Sequence, residues 1–315
     1  NNLDLGNATN KTTKLQINSG RNSLPINGGL RINPNNKDKT FNLDAGPGTI
    51  NVKGTFSTWS TSGTNNFQVS TGAINFTPSV TIADNGQYII FNNAGSVTFN
   101  SDFTDMYNHL NTYAECTVNF GGAYIVSNKN ATWGGNGTAN FFGSSASITA
   151  TKNITFNDVH FAASSSTTLN SDAGAVVIEG NVTLASGSVF TANMGFELDS
   201  DWTNNGGTLN ADGDTIILGG SSNIIGGTFS TSFPTLQIGQ STGSAAASYS
   251  MNNSNTCGYI VFDKSSGDRT LTLGSGVTLT VTNDVTINQP NQTNTTNLLS
   301  VNTAICNIGG NLNFS

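Results

Sequence analysis

Charge is what this chain has least of: 9% of its 315 residues are Asp, Glu, Lys or Arg, and only 35% are hydrophobic. An ordinary soluble domain carries about 25% and 45–50% of these classes. A net charge of −7 and a pI near 4.5 exclude a partner read through its phosphates, because nucleic-acid binders cluster Lys and Arg. Eight of the eleven basic residues precede Asn130, including Arg21, Arg31, Lys37, Lys39 and Lys53, and read as a solvated face. Cysteine is equally sparse. Cys116, Cys257 and Cys306 form no Cys-x-x-Cys pair and stand too far apart for a zinc site. Buried free thiols are the expectation, with a Cys257–Cys306 bridge as the alternative. Six prolines exclude long Pro-rich linkers. No apolar run approaches the roughly 18 residues of a helical membrane span. The chain opens on Asn1 with no signal peptide and stops at Asn311–Ser315 inside a strand pattern, so it reads as part of something longer.

The missing classes are replaced by Asn, Thr, Ser and Gly. A disordered chain of that composition would also lack β-branched and aromatic residues, yet 18 Phe and many Val, Ile and Thr remain. The order is therefore β, since a strand needs only every second side chain for a core. Thr49-Ile50-Asn51-Val52, Val80-Thr81-Ile82, Ser96-Val97-Thr98-Phe99, Val118-Asn119-Phe120 and Leu271-Thr272-Leu273 all alternate with that period. Turn signals such as Asn85-Gly86, Asn136-Gly137 and Asn205-Gly206 stand between such runs.

A degenerate unit recurs: Ile148 to Phe156, Val177 to Leu184, Leu279 to Ile287 and Cys306 to Phe314 each read apolar-polar-apolar, a short polar gap, Asn or Asp, then apolar-polar-apolar. The steps Asn153 to Asn181 and Asp284 to Asn311 are about 28 residues, within the window of solenoids. The spacing predicts an all-β parallel β-helix or β-solenoid, a single elongated segment over 1–315, about eleven coils and on the order of 50 Å long. Asn stacked on Asn at the turns would explain the abundance of that residue. One segment breaks the pattern. Phe103, Met106, Tyr107, Leu110 and Ala114 fall at three- and four-residue intervals, which predicts a short helical insertion over 102–115 capped by Ser101 or Asp102.

The run Asp201-Trp202-Thr203-Asn204-Asn205-Gly206-Gly207-Thr208-Leu209-Asn210, with Gly213-Asp214-Thr215-Ile216-Ile217-Leu218-Gly219-Gly220 and Phe233-Pro234-Thr235-Leu236-Gln237-Ile238, resembles the repeats of giant Bacteroidetes cell-surface proteins. The match covers about 110 residues, from Val177 to Ile287. The resemblance implies export, commonly by the type IX pathway, and a part in adhesion, gliding motility or filament formation. No sorting domain of that pathway is visible. The resemblance also implies that Asp214-Thr215-Ile216 is a short O-glycosylation sequence. Sequons such as Asn75-Phe76-Thr77 and Asn181-Val182-Thr183 follow from the abundance of Asn and Thr.

Parallel β-helices also carry polysaccharide lyases and hydrolases, which need clustered carboxylates or a base beside Arg or Lys. Asp102, Asp105, Tyr107, His109 and Glu115 form the densest set and read as the solvated face of the expected helix. His160, between Val159 and Phe161, points outward by alternation. Glu197, Asp199, Asp201, Asp212 and Asp214 match no calcium-loop spacing and read as turn formers. Thr270-x-Thr272 and Thr278-x-Thr280-x-Thr282 resemble a flat ice-binding face, but β propensity accounts for them, because other coils hold Asn, Glu, Gly or Lys there. Catalytic, cofactor and metal residues are assigned to none. The sequence reads as a non-enzymatic, extracellular, cell-surface adhesin or filament segment offering an extended polar scaffold. Its expected partners are surface glycans, other surface components or neighbouring copies, with Trp59, Trp133 and Trp202 as aromatic contacts. A carbohydrate-active β-helix enzyme and a purely structural stalk are the alternatives.

Overall fold

In the computed structural model, residues 3–5, 12–16, 22–32, 39–58, 65–69, 72–82, 87–92, 95–106, 110–113, 116–133, 135–171, 173–211, 214–227, 233–240, 246–263, 267–289 and 295–315 are described. They form a β-solenoid of parallel strands in two compact units: Asn1–Asp158 with Ser171–Gly174, and Val159–Asn170 with Ala175–Ser315. Among the described residues there is no helix.

Each coil of the first unit runs along three sides. Side one stacks Ser23–Ile26, Thr49–Val52, Ala73–Phe76, Ser96–Phe99, Thr117–Phe120 and Thr138–Phe141 in unbroken register. Steps between stacked strands are 26, 24, 23, 21 and 21 residues, read from Ser23, Thr49, Ala73, Ser96, Thr117 and Thr138. Side two stacks Val80–Ile82, Phe103–Asp105, Ala123–Val126 and Ala146–Ala150. Side three stacks Thr12–Gln16, Lys39–Asp44, Asn65–Val69, Gln87–Asn92 and Leu110–Tyr113.

Alternation decides what faces in. On side one Ile50, Ile74, Val97, Val118 and Ala139 make one buried column, and Val52, Phe76, Phe99, Phe120 and Phe141 make the next. Successive rings of the second column stack at 5.3, 5.8 and 5.2 Å from Phe76 to Phe141. Each such pair contributes about 0.5–1.5 kcal/mol beyond the area it buries. Tyr124 and Trp133 join this aromatic core, and Trp133 Nε1 donates to the Tyr124 hydroxyl at 3.3 Å.

The helix expected over 102–115 is absent. Phe103–Asp105 and Leu110–Tyr113 are strands, and residues 107–109 and 114–115 lie outside the described residues. Phe103 stacks between Val80 and Tyr124, and Asp105 between Ile82 and Val126. Val80 N–H donates to Asp102 O, Met106 N–H to Ile82 O, and Ser127 N–H to Asp105 O. A helix would leave those neighbouring edges unpaired, at a cost that outweighs an accidental three-and-four spacing across a corner.

In the second unit side one carries Val159–Phe161, Val182–Leu184, Trp202–Asn204, Ser222–Gly226, Ala247–Met251, Arg269–Leu273 and Asn297–Ser300. Side two carries residues 166–170, Val189–Ala192 and Thr208–Ala211. Side three carries Val176–Ile178, Phe196–Leu198, Thr215–Leu218, Phe233–Ile238 and Asn255–Phe262. The eight-residue strand Asn255–Phe262 then pairs with two shorter ones, Thr278–Val281 and Val285–Ile287. Of the two steps of about 28 residues in the sequence, Asp284 to Asn311, 27 residues, is a coil: Asn311 N–H donates to Asp284 Oδ1 at 2.7 Å. Asn153 leads into Ile154–Phe156, which pairs with Ala131–Thr132, and Asn181 into Val182–Leu184 of side one, so that step joins strands of different sheets.

Candidate functional site

Two places collect polar chemistry. The first is the outer surface of side one in the first unit, where alternation turns two columns to solvent. One reads Ser23, Thr49, Ala73, Ser96, Thr117 and Thr138; the other reads Pro25, Asn51, Asn75, Thr98, Asn119 and Asn140. No charged residue occupies either column. The amides bond along the stack: Asn51 Nδ2 donates to Ser23 Oγ at 3.1 Å, Asn75 Nδ2 to Asn51 Oδ1 at 2.9 Å, Asn119 Nδ2 to Thr98 Oγ1 at 3.3 Å and Asn140 Nδ2 to Asn119 Oδ1 at 2.7 Å. These ladders lie on strand faces, whereas the sequence places them at turns. Asn193, at the bend just past Val189–Ala192, donates from Nδ2 to Asn170 Oδ1 at 2.9 Å, a step at a corner of the second unit as the sequence suggests.

The second place is a corner of the second unit. Phe196 and Leu198 face the core, so Glu197 faces out from the strand, and Asp199 follows where the strand ends. Glu197 Oε1 and Asp199 Oδ1, buried and without a hydrogen-bond partner, both lie against Gly219 with Gln240 Nε2 beside them. Any side chain at 219 would meet all three. Burial first, then Asp199 beside it, push Glu197 up to about 8, and burial raises Asp199 as well. Both carboxyl groups are thereby biased toward the protonated form relative to an ordinary surface carboxylate. Tyr249 donates to Gly220 O at 3.0 Å and is pushed up to about 12, mainly by burial, with Arg269 opposing and the two carboxyl groups adding to the rise. Arg269 is 2% exposed, stands in the inner row between Ala247 and Asn297, and lays its side chain against Gly239. Gly239 has φ +89°, a conformation that only glycine adopts freely, and it leaves the room that Arg269 fills.

The residues singled out in the sequence divide as follows. Asp102 is exposed and accepts Ala123 N–H at Oδ1, 2.8 Å. Asp105 is fully buried in the inner row, and its charge, after burial, helps to hold Tyr124 well above its ordinary value. Tyr107, His109, Glu115 and Asp212 lie outside the described residues. His160 faces outward, half-buried, and burial lowers its pKa. Asp201 accepts Ile224 N–H at Oδ1, 2.8 Å, a bond between successive coils rather than within a turn, and Asp214 is exposed. Trp133 and Trp202 belong to the core at 3% and 0% exposure, which removes them as surface contacts; Trp59 lies outside the described residues. Asn204 accepts Gly206 and Gly207 N–H at Oδ1, so the Trp202-Thr-Asn-Asn-Gly-Gly run is a core anchor followed by a corner. Cys116 and Cys257 are free, buried and pushed up to about 12 by burial. Cys257 pairs with Val281, and Cys306 with Leu279 in that same intervening strand. Two strand spacings, about 9.5 Å, separate the thiols' strands, beyond the roughly 7 Å that a disulfide spans.

The closeness of Glu197 and Asp199 was legible in principle: two acidic residues two apart at a strand end fall on one side, and the apolar Phe196 and Leu198 mark that side as outer. Their burial, and the approach of Arg269 from a later coil, depend on stacking. No protein-family model, no curated protein and no solved structure matches the chain.

Proposed function

We propose that the chain is an extracellular cell-surface adhesin or filament segment, acting through extended polar contact. The observation that carries this reading is the pair of polar columns on side one of the first unit, held in rank by the ladder beneath them. A packed interior of aliphatic and aromatic columns supplies rigidity, and repetition supplies many equal weak contacts in place of one pocket. The resemblance of residues 201–220 and 233–238 to repeats of giant Bacteroidetes surface proteins supports the same reading and suggests export by the type IX route. Beads coated with the chain are expected to adhere to bacterial or host cell surfaces well above albumin-coated beads. Adhesion no better than albumin would leave a stalk without a ligand of its own.

A carbohydrate-active enzyme is the second reading, and the Glu197–Asp199 pair beside Arg269 and Tyr249 is the observation in its favour. Carboxyl oxygens that both abut the same side of Gly219, however, are closer than the about 5–5.5 Å of retaining or 6.5–9.5 Å of inverting glycosidases. A buried corner pair is accounted for by packing. Release of new reducing ends or unsaturated products from polysaccharide, lost in Glu197→Gln, would reverse this preference.

A further inference from the structure

We infer that the corner at Gly219 and Gly239 is a proton-operated clasp: carboxyl protons hold it closed in acidic and neutral media, and their loss swings the corner outward.

The geometry comes from two missing side chains. Asp199, Gly219, Gly239 and Asp263 each follow the last residue of a side-three strand. Their N–H groups donate to Ile178 O, Leu198 O, Leu218 O and Ile238 O, so the four stand one above another at the turn into side one. The two glycines leave room in that column, and neighbours enter it. Glu197 Oε1, Asp199 Oδ1 and Gln240 Nε2 converge on Gly219, and the Arg269 side chain lies against Gly239. Glu197 Oε1, Asp199 Oδ1 and Asp263 Oδ2 are all buried without a hydrogen-bond partner.

Three carboxyl groups therefore share this corner with one guanidinium, the only cation among the described residues there. The other groups that face it do not restore the balance. Gln240 is uncharged, Tyr249 donates its hydroxyl proton to Gly220 O, and Arg269 Nη1 donates to Asp268 O. Of the acids around it, Glu179, Asp214 and Asp268 are exposed and Asp201 already accepts Ile224 N–H; Lys264 lies outside the described residues. Fully ionised, the corner would hold surplus buried negative charge with no hydrogen bond to spread it, which costs more than a buried group can tolerate. A proton on Glu197 or Asp199 removes the surplus where the two oxygens meet. The upward displacement of both groups, to about 8 for Glu197, agrees with that.

When the protons leave, the corner has a way to yield. Gly219, Gly220 and Gly239 bury no side chain, so moving the turn outward gives water to the carboxyl groups without emptying the core, where Leu198, Leu218 and Ile238 stay packed. The bond from Tyr249 to Gly220 O must break as it moves.

The test is hydrogen exchange with mass spectrometry on the intact chain at pH 6 and pH 9 in a chelator, each rate divided by that of the same peptide unfolded. Protection at residues 217–221 and 237–240 is expected to fall at least tenfold between the two, with little change in Thr117–Phe120. The Glu197→Gln, Asp199→Asn double variant should abolish that fall. No fall, an equal fall in Thr117–Phe120, or an unchanged fall in the double variant would overturn the clasp. Should the double variant not fold, infrared spectra of the parent in heavy water decide. A protonated-carboxyl band is expected at pH 6, where ordinary carboxylates are ionised, and should vanish by pH 10. Absence of that band at pH 6 would overturn the clasp as well.

Discussion

At the level of single residues, the group that departs furthest from ordinary surface behaviour is Glu197. Its carboxyl is held up to about 8 in the folded chain by burial and by Asp199, against about 4.5 when free. The folded state therefore binds more protons than the unfolded state between these values, and stability falls as pH rises from about 4.5 to about 8. Below that window both states are protonated and nothing is lost; above it the penalty is complete. Glu197→Gln copies the uncharged, protonated form. Its thermal midpoint should equal that of the parent near pH 5 and exceed it increasingly to pH 8, then run parallel, in melts followed by circular dichroism. Curves that stay parallel throughout would show that Glu197 is not the group that titrates. The sequence displayed these two acids side by side, but not Arg269 or Tyr249, which come from coils 50 to 70 residues later.

At the level of elements, the solenoid is a stack in which each strand touches the one before and the one after, so damage should be local. Phe120 illustrates this: it is fully buried and its ring packs against Phe99, Tyr124, Trp133 and Phe141. Phe120→Ala should cost about 3–5 kcal/mol. Amide protection should drop most in Ser96–Phe99, Thr117–Phe120 and Thr138–Phe141, with Ala247–Met251 and Arg269–Leu273 the least affected, as read by hydrogen exchange with mass spectrometry. Uniform loss along the chain would contradict nearest-neighbour stability. Strand alternation was plain in the sequence for the same reason that it works in the fold: Val97 and Phe99 go inward and Thr98 outward wherever one face is buried. The residues from 102 to 115 misled because two strands around a corner happened to space Phe103, Met106 and Leu110 like a helix. Only the ladder on both sides of Phe103, invisible in a single sequence, decides between the two. The Asn columns were foreseen as stacks but not at their place, since turn propensity favours Asn at corners, while register sets Asn51 over Asn75 and Asn119 over Asn140 on the flat face.

At the level of the whole molecule, stability and solubility depend on pH in opposite ways. The carboxyl groups whose pKa is displaced, Glu197 and Asp199, are displaced upward, so protonation favours the fold as pH falls. The net charge of −7, by contrast, vanishes near pH 4.5, and with 9% charged residues little else keeps copies apart. Neutral columns of Asn and Thr then meet without repulsion, and amides that already bond to one another within the chain can do so between chains. The thermal midpoint should therefore rise from pH 9 to pH 5 while solubility passes through a minimum near pH 4.5, measured as protein left in solution after centrifugation at matched ionic strength. If the material sedimenting at that pH keeps its circular dichroism and redissolves at pH 7, self-association of folded chains is the cause. If it has lost its β spectrum, acid unfolds the chain and the upward displacement of Glu197 and Asp199 does not govern its stability.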